Sequence, residues 1–75
     1  MNDKMKEGRL TDKEINSRIL LYLKFNSPTH IDLLNGIFYN GFIKKLGAGF
    51  ITFEDRMKGI IPIFINQIKK VELQR

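Results

Sequence analysis

Cysteine and tryptophan are absent from this 75-residue chain, and histidine occurs only once, as His30. The lack of cysteine excludes disulfides, and a single histidine argues against a structural zinc site. No apolar run approaches the roughly 18 residues of a membrane span, and the polar first residues contain no apolar signal-peptide segment. The sequence therefore predicts a cytoplasmic protein with no metal, no cofactor and no membrane association.

The composition sets the size of the core and the charge of the surface. With 43% apolar and 28% charged residues, the chain is typical of one small globular domain. A chain of this length buries only roughly 60% of the surface that its unfolded form exposes, so association with further copies would add buried area. The net charge of +5 favours nucleic acid or another acidic partner.

The first part of the chain has the signature of a helix. Residues 1–10 carry charges of both signs and predict a flexible leader before a single domain over residues 11–75. Thr11-Asp12-Lys13-Glu14 matches a capping box. Apolar residues then follow at helical spacing, and they are Ile15, Ile19, Tyr22 and Leu23. A helix is therefore predicted over about residues 12–25, ended by Asn26-Ser27-Pro28.

After Pro28 the pattern changes to a two-residue alternation rich in β-branched and aromatic residues. Asn35-Gly36 predicts a two-residue type I′ turn, and Gly41 predicts a sharp bend in the following strand. Pro62 cannot donate to a sheet ladder, so its strand should lie at an edge or carry a bulge. The predicted strands are 29–34, 37–46, 50–54, 60–65 and 69–74, which form a strongly bent, partly open barrel.

The later connections are short. Gly47-Ala48-Gly49 predicts a tight turn, because neither a helix nor Gly-Lys-Ser/Thr follows it as a phosphate-binding loop requires. Residues 55–59 predict a type I turn with Gly59 in the bulge. Residues 66–68 are too few for a free loop and predict a single 3₁₀ turn.

The order and spacing of five residues resemble the Sm-like proteins, which include Sm, Lsm and Hfq. In that family a short helix precedes Pro-Val-x-Val-x-Leu-x-x-Gly, four further residues and Gly; the matching residues here are Pro28, Ile31, Leu33, Gly36 and Gly41. The resemblance covers residues 12–73 and implies a mainly β fold, with an N-terminal α-helix before a five-stranded Sm/SH3-like barrel. The Ile60–Leu73 pattern also occurs in other small barrels, such as the C-terminal domains of ribosome maturation factors.

The resemblance further implies self-association and RNA binding. It implies a homo-oligomeric ring of six or seven subunits that binds single-stranded RNA, closed by pairing the fourth strand of one subunit with the fifth of the next. The side chains expected at that interface are Ile61, Ile63, Ile65, Val71 and Leu73.

The RNA-pocket residues of the family do not occur in this chain. Eukaryotic and archaeal members use an aspartate and an asparagine after the second strand and an arginine-glycine pair before the last. Residues 46–50 are Leu-Gly-Ala-Gly-Phe and residues 65–68 are Ile-Asn-Gln-Ile. The lysine-histidine pair that Hfq carries near its last turn is also missing, with Ile63-Phe64 in that region. The resemblance therefore transfers the scaffold and not the pocket.

Basic residues near turns, with aromatic residues between them, are the remaining signal for nucleic acid. Cations neutralise phosphates, and stacking of a base on a ring contributes about 1–3 kcal/mol. The residues predicted to contact RNA are Lys44, Lys45, Arg56, Lys58, Lys69, Lys70 and Phe50. Lysine pairs are also common on solvated faces, and most rings of a small barrel belong to its core.

Two other hypotheses stay open beside an RNA-binding ring. One is a non-enzymatic interaction or assembly module that docks a protein partner through a strand edge or an aromatic face. The other is a monomeric accessory domain. An enzyme is not expected, because the chain has no cysteine, no Gly-x-Ser-x-Gly and no metal motif. Glu54 and Asp55 would point to opposite faces of a strand, and His30 is expected as a surface imidazole with no nucleophile or metal-ligand partner nearby in sequence.

Overall fold

The computed structural model describes residues 8–74 and contains one α-helix and five strands. A one-turn 3₁₀ helix, Ile65–Gln67, joins the last two strands. The strand order is β4-β3-β2-β1-β5, and every neighbouring pair is antiparallel. The elements are α1 (Asp12–Lys24), β1 (Thr29–Leu33), β2 (Phe38–Leu46), β3 (Phe50–Asp55), β4 (Gly59–Phe64) and β5 (Ile68–Leu73). The predicted fold class, a helix before a five-stranded, partly open barrel, is confirmed.

Helix α1 begins at the predicted capping box. The Thr11 hydroxyl accepts a hydrogen bond from the Glu14 amide at 3.1 Å, and the Glu14 carboxylate accepts one from the Thr11 amide at 3.0 Å. The apolar stripe of the helix faces the sheet, where Ile15, Ile19 and Tyr22 are buried. Within residues 8–74, no helix has the length and apolar character needed to cross a membrane.

The core consists mainly of β-branched side chains, and α1 and each of the five strands contribute at least one residue to it. Ile31 of β1 and Val71 of β5 are paired across the sheet and fully buried. The full set of buried apolar residues is Ile15, Ile19, Tyr22, Ile31, Ile43, Ile51, Phe53, Ile63, Ile68 and Val71. Helix α1 thus packs against β2 and β5 and completes the core.

The first hairpin is present, but its predicted turn type is wrong. The Leu33 amide donates to the Ile37 carbonyl at 2.8 Å, and the Gly36 amide donates to the Leu33 carbonyl at 3.1 Å. Gly36 has φ +89°, whereas Asn35 is not among the residues with positive φ. The turn is therefore a three-residue loop, a type I turn with glycine in the bulge. The Asn35 side chain stabilises it by accepting from the Ile37 amide at 3.0 Å.

Gly41 lies where β2 pairs with both of its neighbours, opposite Thr29 of β1 and Asp55 of β3. A Cβ atom at this position would overlap the carbonyl oxygen of Glu54 and would lie 3.1 Å from the Phe53 ring. Glycine is therefore required at the predicted bend because the β3 backbone passes too close for any side chain.

Strand β4 is an edge strand, as Pro62 predicted. The Ile65 amide donates to the Gly49 carbonyl at 3.0 Å. Because backbone bonding direction alternates along a strand, Ile61 and Ile63 bond to β3. The backbone groups of residues 60, 62 and 64 then point to the open edge. The missing N–H of Pro62 consequently costs no hydrogen bond within the chain.

The chain segment before α1 contacts β5. The Leu10 amide donates to the Lys69 carbonyl at 3.0 Å, and Arg9 Nε donates to the Ile68 carbonyl at 2.9 Å. Of the predicted leader over residues 1–10, residues 1–7 lie outside the described residues.

A Gly41→Ala substitution tests the close approach to β3. We expect it to lower the free energy of unfolding by about 2 kcal/mol or more, because the added methyl group forces the backbones apart. The matched control is Gly59→Asn, a residue that tolerates positive φ, at a position with no atom within 4 Å of an added Cβ. Urea denaturation at one protein concentration measures both. Equal stability of the two variants would contradict the proposed overlap.

Candidate nucleic-acid interface

The face of β1 and β2 that points away from the helix carries a polar and aromatic cluster. Thr29 and Ile31 are fully buried, so the alternate residues of β1 lie on the opposite face. The register brings residues of the other strands beside them. We call this surface the outer face, and it consists of His30, Asp32, Phe38, Asn40, Lys70 and Glu72.

His30 is the centre of the outer face. Its Nδ1 lies 2.7 Å from Oδ1 of Asn40, and its Nε2 lies 3.0 Å from Oδ1 of Asp32. The Phe38 ring lies beside it, with 5.3 Å between the ring centroids. The surface imidazole predicted from the sequence is partly buried, since the side chain is 29% exposed, and both of its ring nitrogens face oxygen atoms. A protonated ring can donate to both oxygens at once.

These contacts change the protonation of His30. Burial of the ring alone would lower the pKa of His30. The hydrogen bonds with Asn40 and Asp32, together with the negative charges of Asp32 and Glu72, outweigh burial and raise the pKa above its ordinary value of 6.5. The surroundings of His30 on the outer face therefore favour the protonated ring.

An open cavity of about 310 Å³ lies next to this cluster, between the start of β2 and the β3–β4 turn. It brings two predicted RNA contacts, Arg56 and Lys58, together with residues that the sequence interpretation did not select. The added residues that line it include Phe38, Tyr39, Asn40 and Met57. The Lys58 Nζ lies 5.3 Å from the centroid of the Tyr39 ring, within the range of a cation–π contact.

The turn that carries the two cations is held by Asp55. Its carboxylate accepts hydrogen bonds from the Met57 and Lys58 amides, each at 2.9 Å. The Lys58 and Met57 N–H groups hold the pKa of Asp55 below its usual value. The Arg56 amide donates to the Asn40 carbonyl at 3.2 Å, which ties the turn to β2. Glu54 points away from Asp55, as expected, and lies 3.7 Å from Lys44.

The other predicted RNA contacts lie apart from this cavity. Lys70 is on the outer face, 3.8 Å from Glu72. The Phe50 ring lies at the far end of β3, with its centroid 6.4 Å from that of Phe64. Lys44 and Lys45 are exposed on the second half of β2, and Lys69 is half-buried on β5. The structure therefore distributes the seven residues over several surfaces.

The predicted interface side chains also occupy different environments. Ile63 and Val71 are buried in the core, and Ile61 and Ile65 pack against it. Leu73 is 54% exposed. The β4 residues whose backbone groups point to the open edge are instead Ile60, Pro62 and Phe64. The side chains of Ile60 and Phe64 are more than half exposed. Alternation therefore directs the side chains of Ile61 and Ile63 to the core and those of Ile60, Pro62 and Phe64 to the opposite face of β4.

Sequence reasoning missed Phe38 and Asn40 because their position depends on the length of the first turn. A two-residue turn at Asn35-Gly36 would place His30 opposite Gly41, whereas the three-residue loop places it opposite Asn40. The Asn35-Gly36 pair predicts a turn at this place, but it fits the two-residue turn and the three-residue loop equally well.

The helix, the strand order and the short 3₁₀ link agree with the fold that the resemblance to the Sm-like proteins implies. No family model and no curated protein sequence matches the chain. Among solved structures it is similar to the crystal structure of an Hfq protein from Anabaena sp., with a TM-score of 0.66 and 17% sequence identity, over 79% of this chain and 93% of that chain. No group of three or more metal-ligating side chains occurs within residues 8–74.

The raised pKa of His30 predicts that stability depends on pH near neutrality. Protonation stabilises the fold fully below the unfolded-state pKa of about 6.5, and this contribution is lost as the pH rises through the folded-state pKa. We expect the free energy of unfolding to fall as the pH rises above about 6.5, and His30→Gln to flatten this dependence. Urea denaturation across this range measures both proteins. An equal slope in the variant would exclude His30 as the titrating group.

Proposed function

We propose that the protein is an RNA-binding homo-oligomeric ring that contacts single-stranded RNA through the outer face and the neighbouring cavity. The observation that carries this proposal is the cavity itself, where Arg56 and Lys58 lie beside Phe38, Tyr39 and Asn40. The similarity of the fold to an Hfq structure supports it.

Each part of this surface suits one part of a nucleotide. The two cations can neutralise phosphates, and the Phe38 ring, 57% exposed, offers a stacking surface for a base. Asn40 directs its Oδ1 towards His30, which leaves its amide nitrogen as a donor for a base edge. Phosphates thus bind at the β3–β4 turn and bases on the outer face.

The two edge strands of the sheet support self-association. β4 and β5 are its edge strands, and a further strand can bond to the backbone groups that point outward from each edge. Because the edges differ, pairing β4 of one copy with β5 of the next is a head-to-tail contact, and such contacts close into a ring when the rotation allows. Ile60 and Phe64 would lose their exposure to water in that contact.

A protein-docking module is the second candidate function. It is favoured by three apolar side chains on the outer side of α1 and at its end, which are more than half exposed: Leu20, Leu21 and Phe25. Binding of oligonucleotides decides between the two candidates, because docking of a protein requires no phosphate contacts.

The ring predicts a defined mass in solution. Light scattering should find a species of six or seven times the 8.8 kDa chain mass at micromolar concentration. Phe64→Lys should shift the protein towards monomers, because it buries a charge at the β4 edge. Met57→Lys adds the same charge at a side chain that is 92% exposed and should leave the mass unchanged. A wild-type mass of 8.8 kDa would exclude the ring.

The RNA surface predicts losses of affinity at specific positions. Phe38→Ala should weaken binding of a fluorescent oligo-U or oligo-A about tenfold, through the lost stacking. Arg56→Gln should weaken binding and reduce its dependence on salt, because one phosphate contact is lost per subunit.

The matched control for these variants is Lys13→Gln on the exposed side of α1. It removes the same charge away from the cavity and should leave the affinity nearly unchanged. Fluorescence anisotropy at about 50 and 200 mM salt measures all variants. Wild-type binding that is absent at low salt, or that does not weaken as salt rises, would contradict the phosphate contacts.

A further inference from the structure

The open edge of β5 carries a carbonyl that already has a partner. The Gln74 amide donates to the Pro28 carbonyl at 2.9 Å, so residues 70, 72 and 74 bond to β1. The backbone N–H and C=O groups of Lys69, Val71 and Leu73 therefore point to the open edge. Arg18 Nη1, from α1, donates to the Val71 carbonyl at 2.9 Å. A side chain of the helix thus occupies an edge position that a neighbouring strand would use.

The open edge of β4 lacks one hydrogen-bond donor. Its three outward residues are Ile60, Pro62 and Phe64, and Pro62 has no N–H to donate. A strand that pairs with this edge would find one of its carbonyls without a donor. A buried carbonyl without a partner is unfavourable by more than an ordinary hydrogen bond contributes. An interface that includes Pro62 therefore needs a donor from elsewhere.

We propose that Arg18 supplies this donor, and that β4 of one copy pairs with β5 of the next so that Pro62 lies opposite Val71. The proposal rests on the ring proposed above. The other outward pairs are then Ile60 with Leu73 and Phe64 with Lys69. This is the antiparallel register in which all three outward residues of each strand are paired.

The remaining hydrogen bonds fit this register. The Val71 amide donates to the Pro62 carbonyl, and the Val71 carbonyl keeps its bond from Arg18. The Lys69 carbonyl already accepts from the Leu10 amide at 3.0 Å. Because a carbonyl oxygen has two lone pairs, it can also accept from the Phe64 amide of the neighbour.

The exposed apolar side chains support the same register. Directly opposed residues of an antiparallel pair place their side chains on one face. Ile60 and Leu73 are 59% and 54% exposed and would cover each other. Leu73 also lines a shallow depression of about 430 Å³ with Leu21, which is 51% exposed. Ile60 of the neighbouring copy would enter this depression, which gives Leu21 a partner.

The first experiment is a double-mutant cycle on assembly. Arg18→Met should raise the protein concentration at half-assembly about tenfold or more, because the Val71 carbonyl loses its donor inside the interface. Pro62→Ala restores an N–H opposite that carbonyl, so the double variant should assemble within about threefold of the wild type. Lys24→Met is the control for loss of a helix cation and should assemble normally. Thermal unfolding at low concentration checks that every variant folds.

The second experiment measures the register directly. The chain contains no cysteine, so Ile60→Cys with Leu73→Cys introduces one pair. Opposed residues in a hydrogen-bonded pair have Cα atoms about 5.5 Å apart, within the range of a disulfide. Oxidation should join the subunits into a ladder of covalent oligomers. The pair Ile60→Cys with Lys69→Cys, displaced along β5, should not cross-link.

The outcomes separate this inference from the ring itself. If the wild type assembles and Arg18→Met assembles equally well, the proposed role of Arg18 is overturned but the ring is not. The same holds if Pro62→Ala does not restore the assembly that Arg18→Met loses. Cross-linking of the displaced cysteine pair in place of the opposed pair would overturn the register. A monomeric wild type would overturn both proposals.

Discussion

The contact between Gly41 and the Glu54 carbonyl is the constraint on which the rest of the barrel depends. β2 is the longest strand, and Gly41 pairs at once with Thr29 of β1 and Asp55 of β3. Before this point β2 pairs with β1, and after it with β3. A bend is possible there only because no side chain separates the two backbones. The cavity lies at this bend, where the Asn40 carbonyl holds the Arg56 amide.

The net charge of +5 is unevenly distributed over the candidate site, between the outer face and the β3–β4 turn. On the outer face, Asp32 and Glu72 are balanced by His30 and Lys70. Within residues 8–74 no carboxylate forms an ion pair with Arg56 or Lys58, and the Asp55 carboxylate accepts hydrogen bonds from backbone amides. A polyanion is therefore attracted to the turn, whereas the outer face offers hydrogen bonds and a ring with little net charge.

Local sequence signals predicted most of the fold. The capping box at Thr11 marked the start of the helix, alternation marked the strands, and Pro62 marked an edge, because each depends on residues close in sequence or on one missing donor. The candidate site depends instead on register. One residue more or less in the first loop decides whether His30 meets Asn40 or Gly41, and both loops fit Asn-Gly. The grouping of Arg56 and Lys58 with Phe38 likewise follows from the bend and not from proximity in sequence.

The pairing of β1 with β5 has a consequence for the order in which the chain folds. The hairpins β1–β2, β2–β3 and β3–β4 close short loops, whereas Ile31 and Val71 are paired across 40 residues. Closing a longer loop costs more chain entropy and slows folding. We therefore expect β5 to add after the three hairpins have formed, and α1 to gain its contacts with β5 at that stage. The bond from Arg18 to Val71 would form at the same stage, so the β5 edge reaches its final conformation only in a subunit that has completed its own fold.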